Sequence, residues 1–247
     1  MVERGPASGV ATFFAPEAPV VGTIMTLGED AAHHMRVRRM GPSERIRLTD
    51  GAGTVGGGAI ARITKTQVAV DVDQVEHVDP LSEVHILVPI ADRERMLWLA
   101  EKCAELGAST WRPVLWRRSR SVTPRGEGTA FQAKVRARMI AALEQSGGAW
   151  LPILYPDAPL DRALIATPAG TRLLLDPAGG PMLTAAPAPP MTIAIGPEGG
   201  FDDSERTALI DGGFSPVSIA STILRFETAA IVGLAIARAS LATQETR

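Results

Sequence analysis

Strand and helix patterns alternate from residue 84 to residue 242, and this alternation restricts the fold more than any other feature of the chain. VHILVPI (84–90) is an uninterrupted apolar run, which is typical of a strand buried on both faces. RERMLWLAEKCAELG (93–107) has a helical pattern and ends at Gly107, a residue type favoured just after a helix. The alternation predicts an α/β domain with a mainly parallel sheet.

The same rhythm continues toward the C-terminus. Strands are predicted at 110–116, 171–177, 191–200 (running into a glycine turn) and 215–220, and helices at 128–148, 202–214 and 227–242. The proline-rich stretch 177–190 is interpreted as a loop within this domain.

The first 76 residues follow a different, mostly β pattern. Short apolar or alternating runs occupy 10–14, 45–50, the region around 60–64 and 67–75, with one short helix at 29–40. Glycine-rich turns are predicted between them, at DGAG (50–53) and GGG (56–58). We therefore expect a small β-barrel over 1–76 and the α/β domain over 77–247.

Composition excludes several classes of protein. Apolar residues make up 45% of the 247 residues and charged residues 21%, which excludes a wholly disordered chain. We expect neither a membrane span nor a secretory signal, because no apolar run reaches about 18 residues and the first ten residues lack an apolar stretch. Cys103 is the only cysteine, and the adjacent His33 and His34 point about 100° apart on a helix, so no metal site is expected. A cytoplasmic location follows as the default.

Arginines are concentrated in two segments of a nearly neutral chain. The net charge is −2, and 22 of the 25 basic residues are arginines. Segment 33–47 carries five arginines against one glutamate, and segment 111–138 carries seven arginines and a lysine against one glutamate. The two segments fit a nucleic-acid footprint, and equally a solvated face paired with acidic residues from elsewhere in the fold. A GC-rich genome is the simple explanation for the preference for arginine.

The strongest local motif is IGPEGGF (195–201), where a predicted buried strand runs into a glycine-rich turn. Ligands of open α/β sheets bind outside the carboxyl ends of the strands. The motif lacks the pattern of a phosphate-binding loop, and Glu198, Asp202 and Asp203 would repel a phosphate. A neutral or cationic nucleoside held by main-chain groups fits better, and a plain β–α turn is the alternative.

Two further strand ends have the same character. IASTILRFETAAI (219–231) carries Arg225, and Glu227 or Thr228 is expected to open the next helix. LLLDPAGGP (173–181) is another strand end followed by a break. Loops of this kind are expected to close one pocket.

In this order, these motifs resemble the SPOUT class of methyltransferases and most closely its RsmE family, which methylates N3 of a uridine in 16S ribosomal RNA. The pieces are 33–53, 93–114, ALEQSGG (142–148), LLLDP (173–177), IGPEGGF and ILRFETAAI (223–231). The resemblance implies an N-terminal PUA-like β-barrel and a C-terminal SPOUT α/β domain with a trefoil knot. It also implies S-adenosyl-L-methionine as cofactor, 16S rRNA or the 30S subunit as partner, a homodimer and no metal.

The resemblance also assigns roles to residues. Arg225 is the first choice for a catalytic role and Glu198 the second. The expected cofactor residues are Leu175, Ile195, Gly196, Pro197, Glu198, Gly199, Gly200, Ile219, Ala220 and Leu224. The expected RNA-binding residues are His34, Arg36, Arg38, Arg39, Arg117, Arg118 and Arg120.

The chain departs from the family pattern at five positions. The family usually has Gly, Arg and Thr where this chain has Ala220, Thr222 and Phe226, Arg where Gly148 stands, and often Lys near Asp92. Two other hypotheses stay open. One is a SPOUT methyltransferase for another RNA, such as tRNA or 23S rRNA, on a base or on ribose O2′. The other is an RNA-binding assembly factor without catalysis.

Overall fold

The computed structural model describes residues 10–121, 124–182 and 188–245. The chain divides into two compact units, of which the first comprises 1–80 with 140–151 and the second 81–139 with 152–247. Each unit has its own sheet.

The first unit is a five-stranded half-barrel around an apolar core. Its elements are β1 (Thr12–Phe14), β2 (Ile24–Leu27), α1 (Glu29–Val37), β3 (Arg45–Thr49), β4 (Thr54–Ile63) and β5 (Val68–His77). The strand order is β1–β3–β4–β5–β2, with β1 parallel to β3 and the other neighbours antiparallel. Phe13, Met35, Ile46 and Ile60 are buried in the core, so α1 covers the sheet with an apolar face.

The predicted turn at 56–58 is wrong, since these three glycines lie inside β4. A Cβ at Gly58 would lie 2.4 Å from the carbonyl oxygen of Asp71, and one at Gly56 would lie 2.7 Å from the ring of Pro19. The glycines therefore allow close approach of neighbouring chain segments, and the ladder to β5 shifts register between Gly57 and Gly58.

Residues 140–151 belong to the first unit although they lie far along the chain. The carboxylate of Glu144 accepts a hydrogen bond from the amide of Phe14 at 2.8 Å, and the guanidinium of Arg47 donates to the carbonyl of Gly147 at 2.7 Å. Burial raises the pKa of Glu144. The indole of Trp150 donates to the carbonyl of Val78 at 2.8 Å.

The second unit contains a six-stranded parallel sheet with helices between the strands. Its elements are β6 (Val84–Pro89), α2 (Arg93–Glu105), β7 (Thr110–Val114), a short 3-10 helix (Arg117–Ser121), α3 (Thr129–Ser146), which ends in the first unit, β8 (Ile153–Leu154), α4 (Leu160–Ile165), β9 (Thr171–Pro181), β10 (Met191–Ala194), α5 (Asp203–Asp211), β11 (Ser215–Ser218) and α6 (Phe226–Glu245). The order β11–β9–β10–β6–β7–β8 is parallel throughout. All residues of β6 and β10 are buried, as the apolar runs predict.

The path of the chain agrees with the knotted domain that the resemblance implies. After β11, at the edge of the sheet, the chain returns toward the centre, where α6 packs against α2, β6 and β10. The strand β9 extends to Pro181 instead of ending in a loop at 177, because Gly180 and Pro181 pair with Val217 and Ser218 of β11. The short elements β2, β8 and α4 have no counterpart among the predictions, which is expected for segments of two to six residues.

Within the described ranges, no helix combines the length and apolar character needed to cross a bilayer. The same residues contain no cluster of three or more His, Cys, Asp or Glu side chains suited to a metal ion. Cys103 is buried, and burial raises the pKa of its thiol, which makes it a packing residue of α2.

A buried carboxylate ties the start of α5 to the 3-10 helix. Glu205 is 6% exposed, and its two oxygens accept hydrogen bonds from the amide of Arg117 at 2.7 Å and from the amide of Asp202 at 2.9 Å. Asp202 in turn accepts from the amide of Ser204 at 3.0 Å, which completes a capping box. One side chain thus organises two segments far apart in sequence.

We expect replacement of Glu205 to destabilise the second unit. Glu205→Ala leaves two partly buried amide donors without their acceptor, at up to about 1–3 kcal/mol each. Glu205→Gln keeps one acceptor and turns its amide group toward a donor, so it should give an intermediate loss. The measurement is the free energy of unfolding in urea. Glu127→Gln, at a 41% exposed side chain paired with Arg125, is the control; equal effects of Glu205→Ala and this control would contradict the assignment.

Candidate active site

The carboxyl ends of β10 and β11 and the middle of β9 line a cavity of about 350 Å³. Three chain segments form its walls: 175–177, 195–201 without Gly199, and 217–224 without Ser221. Arg206 of α5 and Phe226 and Ala229 of α6 complete the lining.

Strand register explains why these segments meet. The strand β10 pairs in parallel with β6 on one side and with β9 on the other, and β9 pairs in parallel with β11. The parallel arrangement delivers the loops that follow β10 and β11 to one edge of the sheet, and residues 175–177 of β9 lie there too, just past the residues that pair with β10. This edge is where open α/β sheets bind ligands. Three motifs separated in sequence therefore form a single concave surface.

Nine of the ten residues expected to hold the cofactor line the cavity; Gly199 does not. Its carbonyl instead accepts a hydrogen bond from Arg118 at 2.7 Å, so Gly199 faces the 3-10 helix. Gly200 has a φ of +70°, a conformation that glycine adopts without strain, and its amide donates to the carbonyl of Pro197 at 2.8 Å. A Cβ at Gly196 would lie 3.0 Å from the ring of Phe201, so this position also favours glycine.

Three charged side chains line the cavity. Asp176 and Arg206 form an ion pair with 2.8 Å between Oδ2 and Nε, and Glu198 pairs with Arg95 of α2. Burial opposes ionisation of Asp176, but the hydrogen bonds from Ala178 and Arg206 outweigh it and hold the pKa of this carboxyl below its usual value. The cavity wall therefore carries both signs of charge.

The two candidate catalytic residues occupy different positions. Glu198 lines the cavity. Arg225 lies between Leu224 and Phe226, which both line the cavity, but is itself exposed and outside the lining. Its carbonyl accepts the amide of Ala229 at 2.9 Å in the first turn of α6. The side chain of Arg225 thus stands at the margin of the cavity, facing solvent.

The predicted RNA-binding residues lie in both units. Arg117 and Arg118 begin the 3-10 helix of the second unit; the side chain of Arg120 lies outside the part of the chain that the structure describes. Arg117 approaches Asp202 at 3.6 Å and is 67% exposed. In the first unit, His34 packs edge-on against Phe13 with 5.5 Å between ring centroids. The remaining three, Arg36, Arg38 and Arg39, are exposed on or just after α1.

Sequence reasoning missed Arg95, Asp176 and Arg206. Asp176 lies inside the LLLDP motif, and its place in that motif was the signal in the sequence that could have identified it. Arg95 and Arg206 sit on helices among other charged residues, and no local pattern separates them from residues on a solvated helix face.

Comparison with known protein families identifies both parts of the chain. Residues 78–238 match the family described as RNA methyltransferase domain, and residues 27–73 match the RNA methyltransferase PUA domain. The ribosomal RNA small subunit methyltransferase E of Synechocystis sp. is 30% identical over 236 residues, which cover 90% of this chain and 74% of that protein. The protein of that name from Mycobacterium tuberculosis is 26% identical over 234 residues, covering 90% and 88%.

Solved structures give the same result. The ribosomal RNA small subunit methyltransferase E of Neisseria gonorrhoeae, bound to S-adenosyl methionine, has a TM-score of 0.82 and 27% identity over 92% of this chain and 96% of that one. A Legionella pneumophila protein in complex with the cofactor SAM has a TM-score of 0.83 and 28% identity, covering 94% and 98%. These findings confirm the predicted fold class, a PUA-like β domain with a SPOUT α/β knot. The chain belongs to the ribosomal RNA small subunit methyltransferase E (RsmE) family of S-adenosylmethionine-dependent RNA methyltransferases.

Proposed function

We propose that this protein transfers the methyl group of S-adenosylmethionine to N3 of a specific uridine in the 16S rRNA of the small ribosomal subunit. The observation that carries the proposal is the cavity at the strand ends, which unites the three motifs of the resemblance in one site. We place the reaction in the cytoplasm, where ribosomal subunits are assembled.

The cavity wall fits the chemical character of S-adenosylmethionine. Leu175, Ile195 and Leu224 offer an apolar surface for the adenine, next to main-chain groups of the glycine turn. The ion pair of Asp176 with Arg206 offers both an acceptor for hydroxyl or ammonium groups and a donor for a carboxylate. The volume lies within the range of sites for small ligands.

The chemistry requires alignment and electrostatic support. S-adenosylmethionine would supply a sulfonium methyl group to the uracil N3 once the N3 proton has passed to a base, and the thioether S-adenosylhomocysteine would be the leaving group. The guanidinium of Arg225, at the margin of the cavity, orients the uracil and stabilises negative charge on its imide. Glu198 is the second catalytic candidate; one of its oxygens is bound to Arg95, and the carboxylate lines the cavity.

RNA binding is assigned to both units. The match to a PUA domain supports an RNA-binding role for the first unit, with the exposed arginines of α1 as phosphate contacts. In the second unit, Arg117 and Arg118 border the glycine turn, so phosphate contacts there place RNA next to the cavity.

We also propose a homodimer. The second unit exposes large apolar side chains, including 47% of Trp98 on α2 and 87% of Ile223 at the cavity. Burial of such groups against a second copy removes apolar area from water. Analytical ultracentrifugation at micromolar concentration tests this state.

A methyltransferase for another RNA is the second candidate, favoured by the departures at Thr222 and Phe226, both of which line the cavity. The departure at Asp92 has a local explanation, because this side chain caps α2 by accepting the amide of Arg95 at 3.0 Å.

We expect N3-methyluridine at one position of 16S rRNA. Purified protein is incubated with labelled S-adenosylmethionine and 30S subunits from cells that lack the modification, and nuclease fragments are analysed by mass spectrometry. Naked 16S rRNA, 23S rRNA and tRNA are parallel substrates. Label in tRNA or 23S rRNA, or on ribose O2′, would establish the second candidate instead.

We expect one variant to impair methyl transfer and another to impair cofactor binding. Arg225→Ala is expected to lower kcat about 100-fold or more with cofactor affinity within twofold, since Arg225 stands outside the cavity lining. Ala220→Trp should weaken binding of S-adenosylmethionine by at least about tenfold, because a large side chain enters the cavity from an exposed wall position. Ala169→Trp, at another exposed alanine, is the control for calorimetry. Equal kcat in Arg225→Ala and wild type would reject its catalytic role.

Phosphate contacts are tested by salt dependence. Arg117→Ala should reduce the slope of log affinity for 16S rRNA against log salt by about 0.7–0.9, the value for one lost phosphate contact. Arg118→Ala should do the same and also weaken cofactor binding, since Arg118 holds the carbonyl of Gly199. Arg62→Ala, at an exposed residue of β4, is the comparison. An unchanged slope in Arg117→Ala would assign that residue to the ordinary surface.

A further inference from the structure

One guanidinium connects the two loops that form the main walls of the cavity. Arg95, in the first turn of α2, donates from Nη1 to Oε1 of Glu198, and its Nε lies 3.9 Å from Oε1 of Glu227. Glu198 belongs to the glycine turn after β10, and Glu227 is the second residue of α6, directly after the loop that follows β11. Arg95 itself does not line the cavity.

The position of Arg95 is itself restrained. Its own amide donates to Asp92 at 3.0 Å, which fixes the beginning of α2, and its side chain is only 33% exposed. The guanidinium therefore extends from a helix, α2, that is itself packed against α6. Arginine suits this place because its planar fork reaches two carboxylates at once, which the point charge of a lysine does less well.

Glu227 makes the connection energetically significant. Its side chain is 8% exposed, and its Oε2 is buried without a hydrogen-bond partner among the described residues. A buried carboxylate is costly unless a cation lies near it, and Arg95 is the cation in its reach. Loss of Arg95 would leave this charge uncompensated at the point where the second loop enters α6.

We propose that Arg95 is a positioning residue that holds the glycine turn and the start of α6 at a fixed separation, and so sets the width of the methyl-donor cavity. Its effect passes through Glu198 and Glu227. The functional part of this proposal rests on the proposed function, because it takes the cavity as the S-adenosylmethionine site. The structural part, the coupling of two loops through one side chain, stands independently of the ligand.

Hydrogen–deuterium exchange of the ligand-free protein tests the structural part. In Arg95→Ala, peptides that cover 195–201 and 219–230 should exchange at least about tenfold faster, while peptides from β6 and β7 should be unchanged. Lys102→Ala is the matched control, since this cation lies on the same helix and is also held by two carboxylates, Glu101 at 2.8 Å and Glu105 at 2.7 Å. Unchanged exchange in Arg95→Ala would overturn the proposal.

Calorimetry and kinetics test the functional part. Arg95→Ala should raise the Kd and KM for S-adenosylmethionine by at least about tenfold, with kcat at saturation lowered less, and Arg95→Lys should lie between it and wild type. The double variant Arg95→Met with Glu227→Gln removes the buried charge, so it should recover the thermal stability lost in Arg95→Met while affinity stays low. If Arg95→Met lowered the affinity only by destabilising the protein, the double variant would regain affinity together with stability. That result would overturn the positioning role.

Hydrogen–deuterium exchange and cofactor binding together distinguish failure of the positioning role from failure of the proposed function. Faster exchange in Arg95→Ala together with a wild-type protein that binds no S-adenosylmethionine would support the coupling of the loops and overturn the proposed function. Tight binding in wild type with equal affinity in Arg95→Ala would support the proposed function and overturn the positioning role.

Discussion

The parallel register of three neighbouring strands is the constraint on which the site depends. The strand β10 is buried between β6 and β9, and β11 extends the sheet beyond β9 in the same direction. Because the strands run in one direction, the segments that follow β10 and β11 emerge at one edge, beside residues 175–177 of β9. The position of the cavity follows from this strand direction.

Arginines from distant segments then hold these loops in place. Arg118 of the 3-10 helix binds the carbonyl of Gly199, Arg206 of α5 pairs with Asp176, and Arg95 of α2 pairs with Glu198. The surplus of arginine over lysine acquires a structural use here, since guanidinium groups bind carboxylates and carbonyls with several donors at once. Two of the three wall segments of the site are thus held by cations that helices contribute.

Glycine has opposite uses in the two units, which explains one error of prediction. Gly196 and Gly200 form a turn, as the IGPEGGF motif predicts. The glycines at 56–58 lie inside a strand, because neighbouring chain leaves no room for a Cβ. Both segments are rich in glycine. The proximity of Asp71 and Pro19 to residues 56–58 is what distinguishes the segment inside the strand from the turn.

The sequence by itself determined the alternation of strands and helices and the half-barrel that precedes it, because apolar periodicity and glycine turns are local properties. Nine residues of the cavity wall followed from the family resemblance of its motifs. Tertiary structure alone decided the partners of charged residues. Arg95 meets Glu198 and Glu227, and residues 140–151 join the first unit, through contacts between segments far apart in the chain. Such contacts depend on strand order and helix packing, and no local pattern encodes them.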